Sequence, residues 1–163
     1  MGIYLNSDDT DFRSAVKYSR IYVDKTELIR YTNSVLFGEQ KYICVSRPRR
    51  FGKSMAANML TAYYSRGCDS RGLFQGLKIA MHPDFEKHLN QYNVIHLNMR
   101  DYLTESENMK QLIQFVEDDL LDELQQEFSD IRMPRRKTLV KVLEQAFVQY
   151  KIPFINDKYK WDF

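Results

Sequence analysis

The sequence predicts an α/β fold in which a mostly parallel sheet packs against helices. Three short runs rich in Val and Ile are bounded by polar or turn residues, as strands usually are. They are "KYICVS" (41–46), "NVIHLNM" (93–99) and "IPFI" (152–155). Segments whose apolar residues recur at a helical spacing lie between these runs, and strands that alternate with helices favour parallel pairing.

The first half of the chain predicts one helix on each side of the first strand. Residues 19–37, "SRIYVDKTELIRYTNSVLF", predict a short extended piece that runs into a helix near Lys25. A second helix follows the strand, with apolar residues at a helical spacing from Met55 to Tyr63. Residues 65–85 hold three of the six glycines and predict a connecting loop, with one helical turn after Pro83. The buried side of the first helix is expected to hold Leu28, Ile29, Val35 and Leu36.

Two longer helices are predicted in the second half, from Met109 to Phe128 and from Leu139 to Tyr150. The basic linker "SDIRMPRRKTL" (129–139) joins them, and its Pro134 suits a first helical turn. The longer helix carries the acid-rich run "EDDLLDELQQE" (117–127). We interpret this run as the solvated face of an amphipathic helix and not as a metal site. The acids that recur near a helical spacing are Asp118, Asp122 and Glu123.

Composition and charge restrict the class of protein. A chain of 163 residues, 44% hydrophobic and 28% charged, fits one globular domain. Its net charge of +2 is far from the basic field of a dedicated DNA-binding domain. Nucleic-acid binding through "RMPRRK" (132–137) with Arg49 and Arg50 is a lesser alternative. The aromatic residues are spread along the predicted elements instead of being interleaved with the basic run, which favours core packing.

The cysteines and the hydropathy pattern predict a cytoplasmic location. Cys44 and Cys68 lack the spacing of a zinc site or of a disulfide framework, so a reduced setting is expected. Cys44 is expected to be a small buried side chain on the first strand. No apolar run approaches the roughly 20 residues that cross a bilayer, and the acidic N-terminus does not resemble a signal peptide. We therefore expect no membrane partner.

The segment "SRPRRFGKS" (46–54) ends as a phosphate-binding loop ends. In such a loop, backbone N–H groups at a helix N-terminus hold the β-phosphate, a Lys reaches the β and γ oxygens, and a Ser or Thr hydroxyl binds Mg²⁺. Gly52, Lys53 and Ser54 are of the required types, but Arg47 stands where the pattern expects a glycine. The residues alone allow two interpretations. One is a basic turn with a chance Gly-Lys-Ser, and the other is a modified phosphate loop whose arginines add guanidinium donors.

Three motifs together resemble one family. "YVDKTELI" (22–29), "SRPRRFGKS" (46–54) and "LFQGLKI" (73–79) are similar to the N-terminal part of the bacterial AAA-ATPase-like proteins. The resemblance covers nearly the whole chain, from Met1 to Ile155, and in that family the arginine-rich loop start is the rule. It implies a three-layer P-loop NTPase-like parallel sheet with flanking helices. It also implies bound ATP or ADP with Mg²⁺ and, in many members, a C-terminal nuclease-like domain of the PD-(D/E)xK type.

The resemblance implies a role for each loop residue. Lys53 would neutralise the β and γ phosphates, and Ser54 would ligate the metal. Arg49 and Arg50 would be outer phosphate contacts. The nucleotide-binding residues expected on this basis are Arg49, Arg50, Phe51, Gly52, Lys53 and Ser54.

The acidic pair of the resembling proteins lacks a clear counterpart here. In those proteins an Asp-Glu pair follows a long apolar strand and serves the metal and the attacking water. In this chain Asp157 is followed by Lys158, and Asp162 is next to the last residue. We therefore assign no catalytic residue and expect nucleotide binding, with hydrolysis in doubt.

The chain as a whole is expected to form a single domain over residues 1–163, incomplete at the C-terminus, as a truncated or degenerate form of the family's N-terminal half. The sheet would then have an open edge, which invites pairing with other chains. The alternative function is a non-catalytic interaction module that pairs this edge with a protein partner or with a second copy.

Three further positions have two interpretations each. Asp24, in the triplet Asp24-Lys25-Thr26, is expected to start a helix or, alternatively, to contact the nucleotide base. Asp101 lies just after the second strand, where it is either a ligand at the sheet edge or a helix cap. His96 is interpreted as a core or edge histidine of that strand, in preference to a catalytic base.

Overall fold

The computed structural model describes residues 2–46, 48–130 and 138–156. They divide into two compact units. The loop unit comprises residues 8–92, and the sheet unit combines the described residues of 1–7 and of 93–163. The single domain expected over residues 1–163 stays a prediction.

The loop unit is built from helices. Its α2, α3 and α5 confirm the helices predicted near Lys25, after the loop and after Pro83. Its α1, its α4 and its 3₁₀ helix were not predicted. In α1 only Phe12 and Ala15 are buried. Two apolar positions are too few to establish a helical period in the sequence, so this helix was missed. The elements are α1 (Thr10–Tyr18), α2 (Glu27–Val35), α3 (Lys53–Tyr64), α4 (Arg71–Phe74), the 3₁₀ helix (Lys78–Met81) and α5 (Phe85–His88).

An aromatic cluster forms the core of the loop unit. The rings of Phe12 and Phe74 stack with centroids 5.1 Å apart, which ties α1 to α4. Tyr63 of α3 meets Phe74 edge-on at 5.6 Å and Phe85 at 5.8 Å. Burying rings of this size is a large apolar contribution to stability, and their mutual geometry fixes how the helices pack. The C-terminal half of α3 is therefore held firmly in the core.

The predicted strand at residues 41–46 is wrong. These six residues form no strand, and all of them are exposed. Cys44 is exposed too, contrary to the expected burial. A strand needs a neighbouring strand to complete its ladder of hydrogen bonds, and within the described ranges no strand or bridge pairs with this segment. Val and Ile content predicted the strand, but this content does not supply the neighbouring strand that it requires.

The sheet unit contains a small parallel sheet and three helices. β1 (Asn93–Ile95) pairs with β2 (Phe154–Asn156), with Val94 opposite Ile155. This pairing confirms strands within the predicted runs 93–99 and 152–155, and it confirms their parallel direction. α7 and α8 confirm the two predicted long helices, whereas α6 was not predicted. The helices are α6 (Met99–Glu105), α7 (Met109–Glu127) and α8 (Leu139–Tyr150).

The apolar stripe of α7 packs against α8 and β1 in the core of the sheet unit. Each fully buried aliphatic side chain contributes about 1.5–3 kcal/mol to folding, so this stripe makes a large contribution to the unit's stability. On the other side of β1, Leu5 forms an antiparallel bridge with Ile95. The core consists of Leu5, Ile95, Leu97, Tyr102, Leu112, Val116, Leu120, Leu124, Phe128, Leu139, Val142, Leu143 and Ala146.

The predicted combination of helices with a parallel sheet is thus confirmed, but the size and layering of the sheet are not. The described residues form a helix-rich fold with a two-stranded parallel sheet. The full three-layer arrangement of a P-loop NTPase stays a prediction.

Candidate functional site

The turn before α3 has an unusual backbone. Arg50 and Gly52 both lie in the left-handed region, with φ values of 67° and 78°. Gly52 is the N-cap of α3, and the helix begins at Lys53. Left-handed geometry suits glycine and costs other residues about 1–2 kcal/mol, so Arg50 holds a conformation that its side chain disfavours. Two left-handed residues reverse the chain sharply and direct it into α3.

The N-terminus of α3 has the form of an anion site. The first hydrogen bond within the helix runs from the Ala56 N–H to the Gly52 carbonyl at 2.9 Å. The N–H groups of the first turn before Ala56 therefore have no acceptor inside the helix. Gly52 has no side chain with which to cap them, and the helix dipole adds partial positive charge at this end.

Four cationic side chains belong to this region, and all of them are exposed. Arg49 and Arg50 form no ion pair within the described part of the chain. The Lys53 ammonium donates to the Pro48 carbonyl at 3.1 Å, which folds the side chain back over the loop. Neighbouring positive charges repel one another, so a bound anion would lower the electrostatic energy of the loop. The four residues are Lys25, Arg49, Arg50 and Lys53.

Lys25 contacts the loop from a different segment of the chain. Its Nζ donates to the Phe51 carbonyl at 3.1 Å. A Cβ built on Gly52 would lie 3.1 Å from the same nitrogen, so a side chain there would crowd the ammonium. Sequence reasoning gave Lys25 no role, although it lies within the quoted motif "YVDKTELI". That motif was the only feature of the sequence that could have pointed to Lys25. Lys25 and Phe51 are 26 positions apart, and their contact is created by the fold.

The Asp24 carboxylate holds the segment that carries Lys25. It accepts hydrogen bonds from the Thr26 N–H at 2.8 Å and the Thr26 hydroxyl at 2.7 Å. It also accepts the Lys78 N–H at 2.8 Å. Burial raises the pKa of the Asp24 carboxyl, but these hydrogen bonds and the nearby Lys78 charge lower it, and the net result is a pKa below the ordinary value. The contacts place Asp24 at the start of α2, as the helix-start interpretation predicts.

Hydroxyl hydrogen bonds fix α3 to α2. The Tyr64 hydroxyl donates to the Asn33 Oδ1 at 2.6 Å and lies 2.6 Å from the Thr32 hydroxyl. The Tyr63 hydroxyl accepts the Asn33 Nδ2 at 3.2 Å and donates to the Phe85 carbonyl at 2.7 Å. Burial raises the pKa of Tyr63 to about 12, so this hydroxyl keeps its proton at neutral pH. The far end of α3 is thus anchored, and the loop is carried on a rigid helix.

Other candidates from the sequence have structural roles or lie outside the described residues. Asn98 and not Asp101 caps α6, and Asp101 lies in the first turn of that helix, where its carboxylate accepts a hydrogen bond from the Asn98 side chain at 2.8 Å. His96 lies just after β1, and its N–H donates to the Tyr4 carbonyl at 2.8 Å. Arg47, Asp157, Asp162 and the basic segment 132–137 lie outside the described residues.

Part of the acid-rich run of α7 lies on the solvated face of the helix, as the sequence predicted. Asp118 and Asp122 are exposed, as a solvated face requires. Glu123 has a structural role instead, because its carboxylate accepts the backbone N–H groups of Ile3 and Leu5 at 2.6 and 2.7 Å. Asp119 accepts the Tyr102 hydroxyl at 2.8 Å. These contacts account for the acids that turn inward.

A left-handed glycine followed by a helix that begins Lys-Ser, with cations around it, matches the second half of a phosphate loop, whereas the strand expected before such a loop is not formed by residues 41–46. A family model described as "Predicted AAA-ATPase" matches residues 9–157, and the chain belongs to this AAA-ATPase-like family. Comparisons with curated proteins and with solved structures gave no match. Across the described ranges, every helix is too short or too polar to cross a membrane.

Proposed function

We propose that this chain binds ATP or ADP, with Mg²⁺, through the loop before α3. The observation that carries the proposal is the placement of Gly52, Lys53 and Ser54 at the N-terminus of α3, next to exposed arginines that form no ion pair with any described residue. Membership of the AAA-ATPase-like family supports the same ligand. A cytoplasmic location, where nucleotides are abundant, is part of the proposal.

Each loop residue has a role in this proposal. Lys53 exchanges the Pro48 carbonyl for the β and γ oxygens of the nucleotide, because a phosphate oxygen carries more negative charge than a peptide carbonyl. Arg49 and Arg50 supply planar guanidinium donors to the outer oxygens. Phe51 and Gly52 contribute backbone at close approach, where Gly52 has no side chain to obstruct a phosphate.

The residues present fit the metal. The Ser54 hydroxyl is exposed in the first turn of α3, and an oxygen ligand is what Mg²⁺ prefers. When bound, Mg²⁺ offsets the charge of the phosphate oxygens. Ser54 would hold the ion through its hydroxyl oxygen, while the N–H groups of the same turn would bind the phosphates.

The test is thermal unfolding of the chain with and without Mg·ATP. At a ligand concentration of about 100 times Kd, binding adds about 2.7 kcal/mol to the free energy of unfolding. Each kcal/mol raises the Tm of a chain of this size by roughly 2–4 °C. We expect Lys53→Ala to keep the ligand-free Tm and to lose the rise. The matched control is Lys87→Ala, an exposed lysine on α5, which should keep both values.

A Tm rise that survives Lys53→Ala would contradict the assignment of the loop. A folded chain that shows no rise with Mg·ATP or Mg·ADP would contradict nucleotide binding itself. Hydrolysis is a separate question, which phosphate release from the same samples answers.

A second candidate function is association through the sheet. β2 pairs with β1 on one side, and among the described residues no strand pairs with its other side. An unpaired edge presents backbone donors and acceptors to another chain. Sedimentation over a range of concentrations would show this association. If association is the function, the dependence of sedimentation on protein concentration should be the same with and without Mg·ATP.

A further inference from the structure

The turn before α3 has little backbone hydrogen bonding of its own. Among the described residues, the backbone of Arg49, Arg50 and Phe51 forms no hydrogen bond with other backbone groups. Phe51 lies between the left-handed residues Arg50 and Gly52, where the chain reverses. Exposed backbone that lacks such hydrogen bonds opens at low cost, so the order of this turn depends on the side chains that reach it.

Lys25 reaches the middle of this turn. Its ammonium donates to the Phe51 carbonyl at 3.1 Å. The same nitrogen would lie 3.1 Å from a Cβ at Gly52, so it fits closely against the backbone of the turn. A hydrogen bond from a charged donor is about twice as strong as one between neutral groups. The contact therefore favours the one shape of the turn in which the Phe51 carbonyl faces the ammonium.

The residues on either side of Lys25 fix its own backbone. The Asp24 carboxylate accepts the Lys78 N–H at 2.8 Å, and the Thr26 hydroxyl accepts the Ile79 N–H at 3.2 Å. Thr26 is fully buried. Lys78 and Ile79 are the first two residues of the 3₁₀ helix. Lys25 is thus held on both sides, while its exposed side chain reaches the loop.

These contacts connect three segments that are far apart in sequence. The segment 73–79 holds the segment 22–29 through the hydrogen bonds of the 3₁₀ helix. The segment 22–29 in turn holds the loop through Lys25. All three were quoted above as separate motifs. In the structure they form one support for the turn before α3.

We propose that Lys25 is a positioning residue for the phosphate loop, whose ammonium holds the Phe51 carbonyl and keeps the turn in the shape that receives phosphate. Asp24 and Thr26 in turn hold Lys25 in place. The inference rests on the proposed function, because it concerns the affinity of the same loop. When only a fraction of the molecules has the binding shape, the apparent affinity for every ligand falls in proportion to that fraction. Loss of the Lys25 contact should therefore weaken all phosphate ligands by the same factor.

The first test is calorimetry of the full chain with Mg·ATP, Mg·ADP and Mg·tripolyphosphate. We expect Lys25→Met, which removes the ammonium, to weaken all three ligands by a common factor of about ten. Lys25→Arg keeps a charged donor and should stay within about threefold of the unmodified chain. The matched control is Lys17→Met, which removes the same charge from an exposed lysine on α1 and should leave all three affinities unchanged.

A second variant, Asp24→Asn, separates position from charge. It makes the surroundings of the loop more positive, so electrostatic attraction alone would make the phosphates bind more tightly. The amide replaces one carboxylate oxygen by an N–H donor, so either Thr26 or Lys78 loses its acceptor. We expect weaker binding of all three ligands in spite of the added positive charge. Tighter binding would overturn the proposal.

Nitrogen-15 relaxation measures the order of the turn without any ligand. An N–H group that has no acceptor exchanges rapidly even in an ordered turn, whereas the order parameter reports its motion on the picosecond to nanosecond scale. We expect the order parameters of Arg50 and Phe51 to fall from the rigid range, about 0.85, toward the flexible range, below about 0.6, in Lys25→Met. In Lys17→Met they should not change.

The outcomes separate this inference from the proposed function. Unchanged affinities in Lys25→Met would overturn the positioning role, while nucleotide binding by the loop would stand. A larger loss for Mg·ATP than for Mg·ADP would overturn it too, because Lys25 would then touch the terminal phosphate itself. If the unmodified chain binds none of the three ligands, the proposed function fails, and relaxation alone then decides whether Lys25 orders the turn.

Discussion

Arg50 combines a disfavoured backbone with a side chain that is suited to a phosphate. Its φ of 67° costs about 1–2 kcal/mol relative to glycine in the same conformation. Its guanidinium is exposed and has no ion pair among the described residues, so nothing in that part of the chain offsets this cost. Strain of this kind is often found where binding requires a particular side chain. If Arg50 binds phosphate as we propose, the chain accepts this loss of stability in order to place a donor at the loop.

Substitution of Arg50 by glycine tests both the strain of its backbone and the contribution of its side chain to binding. We expect Arg50→Gly to raise the free energy of unfolding by about 1 kcal/mol, because glycine adopts left-handed geometry without strain. The affinity for Mg·ATP should fall, because a guanidinium donor is lost. Urea denaturation and calorimetry give the two quantities.

The matched control is Arg49→Gly, since Arg49 is the adjacent arginine and does not have a positive φ. There we expect a loss of stability of about 0.5–1 kcal/mol, from the greater freedom of glycine in the unfolded chain. Equal destabilisation by the two substitutions would refute the interpretation of Arg50 as strained.

At the scale of elements, one carboxylate joins the N-terminal segment to α7. Glu123 accepts the N–H groups of Ile3 and Leu5, and the Tyr4 N–H lies 3.0 Å from its Oε2. The same segment bridges to β1 through Leu5. Hydrogen bonds from backbone N–H groups to a charged acceptor are about twice as strong as neutral ones. Glu123 therefore keeps the segment aligned beside the sheet.

Removal of this carboxylate should destabilise the chain strongly. We expect Glu123→Ala to lower the free energy of unfolding by about 2–3 kcal/mol, because partly buried N–H groups lose their acceptor. Asp122→Ala is the control, since Asp122 is the adjacent acid on α7 and is exposed. Its effect should stay within about 0.5 kcal/mol. Urea denaturation of both variants is the measurement, and similar losses would show that the N-terminal contacts contribute little.

The helices that the sequence predicted are those whose signal is local, and two of the three predicted strands exist because they pair with each other as β1 and β2. The apolar spacing in α3, α7 and α8 repeats over several turns, which makes a helix the only compatible structure. The strand predicted at residues 41–46 failed because strand formation depends on a partner elsewhere in the chain. The role of Lys25 was missed for the same reason, since its contact with Phe51 exists only after folding.

At the scale of the molecule, every described residue of the proposed nucleotide site belongs to the loop unit. The loop and Lys25 both lie within residues 8–92. The loop unit therefore contains the phosphate-binding residues of our proposal. The exposed segment 41–46 precedes the loop in the same unit.

Exchange of backbone amide hydrogens should show where in the loop unit the nucleotide binds. Exposed segments with few backbone hydrogen bonds open at low cost, so the amides from 41 to 52 should exchange rapidly in the ligand-free chain. Mg·ATP should slow exchange in the loop and in the first turn of α3, because phosphate oxygens accept their N–H groups. The amides of α7 serve as the internal reference, since none of its residues belongs to the loop unit.

The same exchange measurement on two variants tests whether the loop causes this protection. With Lys53→Ala, Mg·ATP should slow exchange in neither the loop nor the first turn of α3, because the phosphates no longer bind. With Lys87→Ala, the protection should match that of the unmodified chain, because this lysine lies on α5 and outside the loop. Protection of the loop that persists in Lys53→Ala would mean that Lys53 is not needed to hold the phosphates, and the assignment of the loop would then be wrong.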